Sequence, residues 1–350
     1  MLPLSRPAYS SLEALVTTKL RCSARYLLIL LLAPSAPAAA QVIETVGGRA
    51  LGMGGAFVAV ADDSSATWWN PAGPAAGPFL DLSIGRAVTG AEGSLPAGRD
   101  HGGSFALTTP PFGFSYYRLR LTDIQPFDPT GSGAPDREER RAGVPVRSLA
   151  VSQVGATLLH SLVSGVHLGA TLKYVRGTYR ASREDSLLDA GDLLGLGDDL
   201  GGGDAENRFD VDLGLLAVVG AMRAGLVVRN VTEPEFGEMA LPRQARVGAA
   251  FDGERAGLGP FMVAVDADVL DYDTPTGERR VVAVGGERWF GLRRLAVRAG
   301  ARVNTVGAQE RTLTAGASYA LRAALYVEGH VARGGSDDDR GWGLAARVSF

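Results

Sequence analysis

The chain has 350 residues, 47 of them glycine, with a formal net charge of -3, 46% hydrophobic and 7% aromatic residues. Glycine stands at roughly twice its usual share, the near-balanced charge shows no basic stripe and argues against nucleic acid as a partner, and no run reaches the roughly 18 apolar residues of a membrane helix, which excludes a helical membrane protein. So much apolar residue without long apolar runs has to be spread by alternation, the pattern of a sheet with two unlike faces.

At the N-terminus, Lys19, Arg21 and Arg25 precede the apolar run Tyr26 to Ala33, which is followed by small residues ending in Ala38, Ala39 and Ala40. A basic region, an apolar run and a small-residue site read as a signal peptide over 1–40, cleaved after Ala40. The run is about half of the roughly 20 residues that a spanning helix needs, so a membrane anchor does not fit. The stretch before the apolar run is long for a signal peptide, which also fits a later start codon. Cys22, the single cysteine, lies before the run, so the mature chain has no disulfide, no acylation cysteine and no cysteine metal site.

Residues 41–77 carry no strand periodicity and are expected to enter or cap the strand-rich region as a plug segment. Gly52, Gly54 and Gly55 allow close approach of backbone to a wall, and Asn70-Pro71 initiates a turn. The run Leu51 to Phe57 has the start of a dinucleotide-binding turn, but Phe57 stands where the third glycine is required and no βαβ unit comes after it.

From 78 to 350 the chain reads as alternating strands. The expected spans are 78–86, 101–108, 112–120, 147–160, 166–181, 206–218, 222–231, 243–252, 260–270, 280–289, 294–303, 311–320, 323–333 and 341–350, about fourteen, an even number as a bacterial transmembrane barrel requires. The last is the clearest: Trp342, Leu344, Ala346, Val348 and Phe350 on one face, Gly343, Ala345, Arg347 and Ser349 on the other. Links alternate long (87–100, 121–146, 182–205) and short (109–111, 161–165, 219–221), as when long loops face outside and turns face the periplasm, although 253–259 is longer than a tight turn. Polar stretches at Asp136–Arg141, Gly191–Asn207 and Ser336–Arg340 read as solvated, mobile outer loops. Gly195 to Leu200 looks like one calcium-binding nonapeptide, but a lone copy cannot stack, and Asp271, Asp273, Asp337 and Asp339 also read as solvated acidic loops; no metal or cofactor is expected.

Arg246, Asp266, Asp268, Arg298, Arg302, Glu328 and Arg347 all fall opposite the apolar phase. A charge facing lipid costs a few kcal/mol, so these are expected to line the lumen, in salt bridges and plug contacts or along a polar path for a hydrated solute. His101, His160, His167 and His330 show no His-x-x-x-His spacing or paired nucleophile, so no enzyme is expected.

Three pieces of the N-terminal segment, Arg49-Ala-Leu-Gly-Met-Gly-Gly-Ala56, Ala61-Asp62-Asp63 and Asn70-Pro71-Ala72-Gly73, resemble the opening segment of FadL-like outer-membrane proteins, most closely the PorV/PorQ family. The resemblance implies a fourteen-stranded outer-membrane β-barrel of a Gram-negative-type bacterium whose N-terminal segment packs in the lumen. It marks Arg49, Gly52, Gly54, Gly55, Asp62, Asp63, Asn70 and Pro71 as the plug or gate motif. Phe350 resembles the C-terminal signal read by the barrel assembly machinery, or serves as an interfacial aromatic. In the FadL group such barrels pass hydrophobic, lipid- or fatty-acid-like compounds; Phe57, Trp68 and Trp69 would then line a ligand cavity beside the plug. In the PorV branch they serve a type IX secretion or surface-attachment complex, and the partners would be secreted proteins. The mature chain is short for a fatty-acid transporter, which favours the PorV/PorQ side.

Overall fold

Alternation decides the architecture. The computed structural model describes residues 44–92, 97–124, 143–185, 188–274, 277–307, 310–335 and 339–350, with the backbone of Ala39–Ala40. Apart from those two alanines, the expected signal peptide lies outside the described residues, as do Asp136–Arg141 and residues 336–338. Fourteen strands form a closed barrel: β1 (Asp81–Ala91), β2 (Ala97–Thr109), β3 (Phe112–Ile124), β4 (Val144–Val163), β5 (Val166–Glu184), β6 (Ala205–Val219), β7 (Met222–Arg229), β8 (Gln244–Asp252), β9 (Phe261–Asp268), β10 (Val281–Phe290), β11 (Leu295–Asn304), β12 (Arg311–Arg322), β13 (Leu325–Arg333) and β14 (Asp339–Ser349). Every neighbouring pair is antiparallel, and β14 closes on β1 from Asp339 against Ala91 to Ser349 against Asp81.

The phase of each strand is the one the charges require. Ile84, Phe114, Leu158, Leu172, Val284 and Leu344 face outward and are exposed, whereas Arg246, Asp266, Asp268, Arg298, Glu328 and Arg347 face inward and are buried, with Arg302 half-buried beside them. An exposed apolar belt of this kind on a closed barrel is a lipid-facing surface. Two-residue turns at 110–111, 164–165, 220–221 and 323–324 gather at one end, with the long links 125–143, 185–204, 230–243 and 269–280 at the other. The chain ends of the barrel lie at the short-turn end, where Phe350 N donates to Leu80 O at 2.8 Å. The first long link is shorter than expected, 92–96 rather than 87–100, because β1 and β2 keep pairing beyond the apolar belt.

One loop departs from its expectation. Gly191–Asn207 does not form a solvated, mobile loop: Ala190–Asp199 is a helix, capped by the Asp189 carboxylate, which accepts from Asp192 N at 2.8 Å, and Asn207 already belongs to β6. Leu193 and Leu194 pack on Ala97, Ile124, Val144 and Val146. Asp198 accepts from Thr122 Oγ1 at 2.6 Å and Arg99 Nη1 at 3.2 Å and lies 3.0 Å from His101 Nε2. The contacted residues share the outward phase of β2, β3 and β4, so the helix clasps the outside of the wall beyond the apolar belt.

Residues 44–77 lie inside the barrel. Their backbone turns through α1 (Gly48–Gly52), α2 (Ala66–Trp69) and a 3-10 turn (Gly73–Ala76) before entering β1; the outer helix is α3 (Ala190–Asp199). No helix among the described residues is long and apolar enough to span a membrane.

Candidate functional site in the barrel lumen

The lumen segment meets the wall where the wall has no side chains. Three pairs of glycines face each other across neighbouring strands: Gly169 with Gly214, Gly225 with Gly248, and Gly285 with Gly300. The segment lays Asn70-Pro71 on the first pair, Val58-Ala59 on the second and Met53 on the third, so closely that a Cβ at Gly169, Gly214, Gly285 or Gly300 would overlap its atoms. Backbone approaches backbone again at Gly54, whose φ of +71° suits glycine and whose added Cβ would lie 2.9 Å from Ala301 N.

Hydrogen bonds fix the first two of these seats. Asn70 Nδ2 donates to Val58 O at 2.8 Å and to Leu215 O of β6 at 3.0 Å, while its Oδ1 accepts from Ala72 N at 3.1 Å. One amide thus ties the Asn-Pro turn to the segment and to the wall. Asp266 of β9 accepts from the amides of Phe57 and Val58 at 2.7 and 2.8 Å. Asp81 accepts from Ser64 N at 2.8 Å, and Asp63 from Ser65 N at 3.0 Å.

The charges pair within the segment, within the wall and across the boundary between them. Arg49 presents a fork to Glu287, Nε to Oε2 and Nη2 to Oε1 both at 2.9 Å, and reaches Asp62 at 2.5 Å and Asp63 at 3.3 Å. Glu287 also takes Arg298 at 2.5 Å, Glu328 takes Arg347 at 3.0 Å, and Arg246 takes Asp268 at 2.6 Å. Glu44, at the other end of the segment, meets Arg246, Arg279 and Arg302 at 2.8, 2.9 and 2.5 Å. Burial pushes its carboxyl up, but Arg279, Arg246 and Arg302 outweigh burial and hold it below the ordinary carboxylate range. Buried bidentate pairs of this kind specify one arrangement more than they add stability.

The aromatics expected to line a ligand cavity are packed instead. Phe57 and Trp69 are fully buried edge to face, centroids 6.2 Å apart, and Trp69 Nε1 donates to Val46 O at 2.9 Å. Trp68 meets Tyr117 edge to face at 5.2 Å and lies under the Arg229 guanidinium at 4.8 Å. Trp68 nevertheless marks the base of an apolar patch inside the barrel, formed by Tyr117, Leu119 and Leu121 of β3, Leu149 and Val151 of β4, and Val175 of β5. Loop 230–243 covers this patch with Phe236, Met239 and Leu241, and Phe236 lies directly on Gly177.

Two polar cavities flank the filled centre, and neither is lined by these aromatics. Toward the long loops, Asp100, Asp123, Arg279, Arg302 and Glu310 line about 180 Å³. Toward the short turns, Asp62, Arg223, Arg255, Arg293 and Arg347 line about 450 Å³.

No known family profile matches the chain, and no curated protein sequence matches it. Solved structures do. The Pseudomonas putida toluene transporter TodX superposes with a TM-score of 0.57 at 12% identity, over 88% of this chain and 99% of that one. The CymD monoaromatic hydrocarbon channel gives 0.57 at 15% identity, over 87% and 97%. The fold is FadL-like. A Pseudomonas aeruginosa FadL homologue agrees, with 0.57 at 11% identity over 90% and 100%. These superpositions run over nearly the whole of each neighbour.

Of the expected residues, the structure brings Arg49, Asp62 and Asp63 together with Arg298 through Glu287, seats Gly52, Gly54, Asn70 and Pro71 against the wall, and sets Phe350 at the short-turn rim. Gly52 lies on Gly316 of β12, and Gly55 turns at φ +85° beside Trp69. Glu44, Glu287, Phe236 and the paired wall glycines escaped the sequence reading. Glu287 alone had a usable signal: it shares the inward phase of β10 with Val281 and Ala283.

Proposed function

We propose that this FadL-like barrel is an outer-membrane channel for a hydrophobic small molecule, and that residues 44–77 are its gate. The observation that carries the reading is the apolar patch on the inner wall. A barrel lumen filled with water has polar walls, so an apolar inner surface from Tyr117 to Val175 has to be covered by protein or by an apolar guest. Phe236 and Met239 cover it at the long-loop side and Trp68 at the base, each from a segment outside the barrel ladder. Withdrawal of loop 230–243 opens a seat for an aromatic or aliphatic molecule of that size. Release of the segment from Glu287 and the glycine pairs then clears the way beyond it.

In this reading residues 1–40 are the export signal, cleaved near Ala40, Phe350 is the element recognised by the barrel assembly machinery, lipid surrounds the belt, and the protein has no catalytic role. The competing role, a PorV/PorQ-like platform for type IX secretion, rests on the N-terminal motif alone; the lumen geometry favours a small apolar guest over a protein cargo.

The test is uptake of a radiolabelled monoaromatic hydrocarbon by cells that lack other hydrocarbon channels. Wild type is expected to raise the uptake rate over that of the same cells without the barrel. Deletion of residues 41–77 and the pair Phe236→Ala, Met239→Ala should each change that rate severalfold while the barrel still inserts. Uptake equal to that of control cells for wild type and for both variants would refute the channel reading.

A further inference from the structure

The lipid-facing belt holds charges that take no part in the lumen. Arg86 of β1 and Arg118 of β3 have the outward phase and are exposed. Among the described residues neither makes a hydrogen bond or an ion pair, although nearly every inward arginine does. They are in register across a single residue, since Arg86 pairs with Gly103 and Gly103 with Arg118. Strands are about 4.8 Å apart, so the two arginine backbones stand about 10 Å apart, with a glycine between them whose added Cβ would meet only Arg118 O at 3.6 Å. Two long guanidinium side chains can converge over that gap on one tetrahedral anion.

The row below is apolar. Ile84, Phe105, Tyr116, Val327 and Leu344 surround a groove of about 600 Å³ on the outside of the wall, floored by Gly85, Ala345 and Ala346 and closed above by Arg86 and Arg118. The level of the arginines is also fixed by the structure. On β3 the next outward residues, Arg120 and Thr122, are covered by α3 through the carbonyl and carboxylate of Asp198. On β3 the lipid-exposed surface therefore ends at Arg118, on the long-loop side, where a guanidinium costs little and a headgroup is within reach.

We infer that this face binds one anionic lipid, its phosphate monoester held between Arg86 and Arg118 over Gly103 and one acyl chain lying in the groove. Charge complementarity selects the occupant: a guanidinium pair takes phosphate in bidentate geometry, and the groove beneath it is apolar and opens into the membrane. A zwitterionic lipid would offer the same chain but set a cationic headgroup beside two uncompensated arginines.

The experiment is native mass spectrometry of the full chain in mild detergent with phosphatidic acid and, as probe of the chain alone, phosphatidylcholine with the same acyl groups. Wild type is expected to retain one phosphatidic acid at least tenfold better than phosphatidylcholine. Arg86→Gln combined with Arg118→Gln should remove that preference, while Arg288→Gln, an outward arginine near the short-turn end, should keep it. Folding of each variant is checked by the mobility of the unheated barrel in gels. Equal retention of the two lipids by wild type, persistence of the preference in the double variant, or an equal loss in Arg288→Gln would each overturn the assignment. So would displacement of phosphatidic acid by inorganic phosphate at equimolar concentration, since that would make the site one for the free anion.

Discussion

Glu287→Gln is the perturbation that bears most directly on the attachment of the lumen segment. The carboxylate serves Arg49 of the segment and Arg298 of β11, both buried, and the glutamine offers them one neutral oxygen in place of two charged ones, with an amide NH2 turned toward a guanidinium. Removing one partner of a buried ion pair costs about 3–5 kcal/mol. Arg49 keeps Asp62 at 2.5 Å, so the lower end applies, about 3 kcal/mol, or roughly a 150-fold shift toward the released segment at 1.36 kcal/mol per decade. Hydrogen exchange followed by mass spectrometry reads this directly: amides of residues 49–63 should lose about two decades of protection while those of β3–β5 keep theirs. Because Arg49 and Glu287 share the interaction, Arg49→Gln added to Glu287→Gln should cost less than the sum of the two. Unchanged protection in residues 49–63, or an equal loss in β3–β5, would refute the claim that this cluster fastens the segment.

Other substitutions probe the remaining seats. Asn70→Asp should loosen the segment more than Asn70→Ala, because a carboxylate cannot donate to Val58 O and Leu215 O and places charge beside two carbonyls; trypsin cleavage after Arg49 in the folded barrel would report the order. Gly300→Val should displace Met53 and expose the segment to the same protease, whereas a valine at Gly286, which faces lipid on β10, should leave cleavage unchanged. The Glu44 carboxyl is held below its ordinary value, so its contribution is fully present above the unfolded value of about 4.3 and fades only as pH falls through the lower, folded value. Protection of residues 44–50 should therefore be the same at pH 7 and pH 5 and decline in stronger acid; release between pH 7 and pH 5 would contradict the three-arginine clasp.

The barrel was legible because the chemistry of a two-faced strand repeats every second residue. Trp342 to Phe350 and Phe261 to Val269 show it without ambiguity, and the same phase placed all seven inward charges. The inner site was less legible because its parts meet through register and not through sequence proximity. Gly225 and Gly248 mean nothing separately until β7 and β8 are paired, and Glu287 finds Arg298 only across β10 and β11. Phe236 sits in a polar loop with no periodicity to betray its burial. Helix α3 was hidden by Gly191, Gly195 and Gly197, residues that favour turns; Asp189 at its cap and the adjacent Leu193 and Leu194 were the available signs. Phe57, Trp68 and Trp69 lie in the lumen as expected; Phe57 and Trp69 pack against protein there, while Trp68 borders the apolar patch.

The glycine pairs have a consequence for assembly. The segment precedes β1 in the chain and so is synthesised before any strand, yet its seats lie as late in the chain as Gly285, Gly300 and Gly316. Its Gly52, Met53 and Gly54 have no wall to settle on until β10 to β12 exist, and β14 cannot close against β1 around a segment set down in another register without forcing backbone into Cβ atoms. A segment seated in another register therefore obstructs closure of the ring, whereas one seated on the glycine pairs does not.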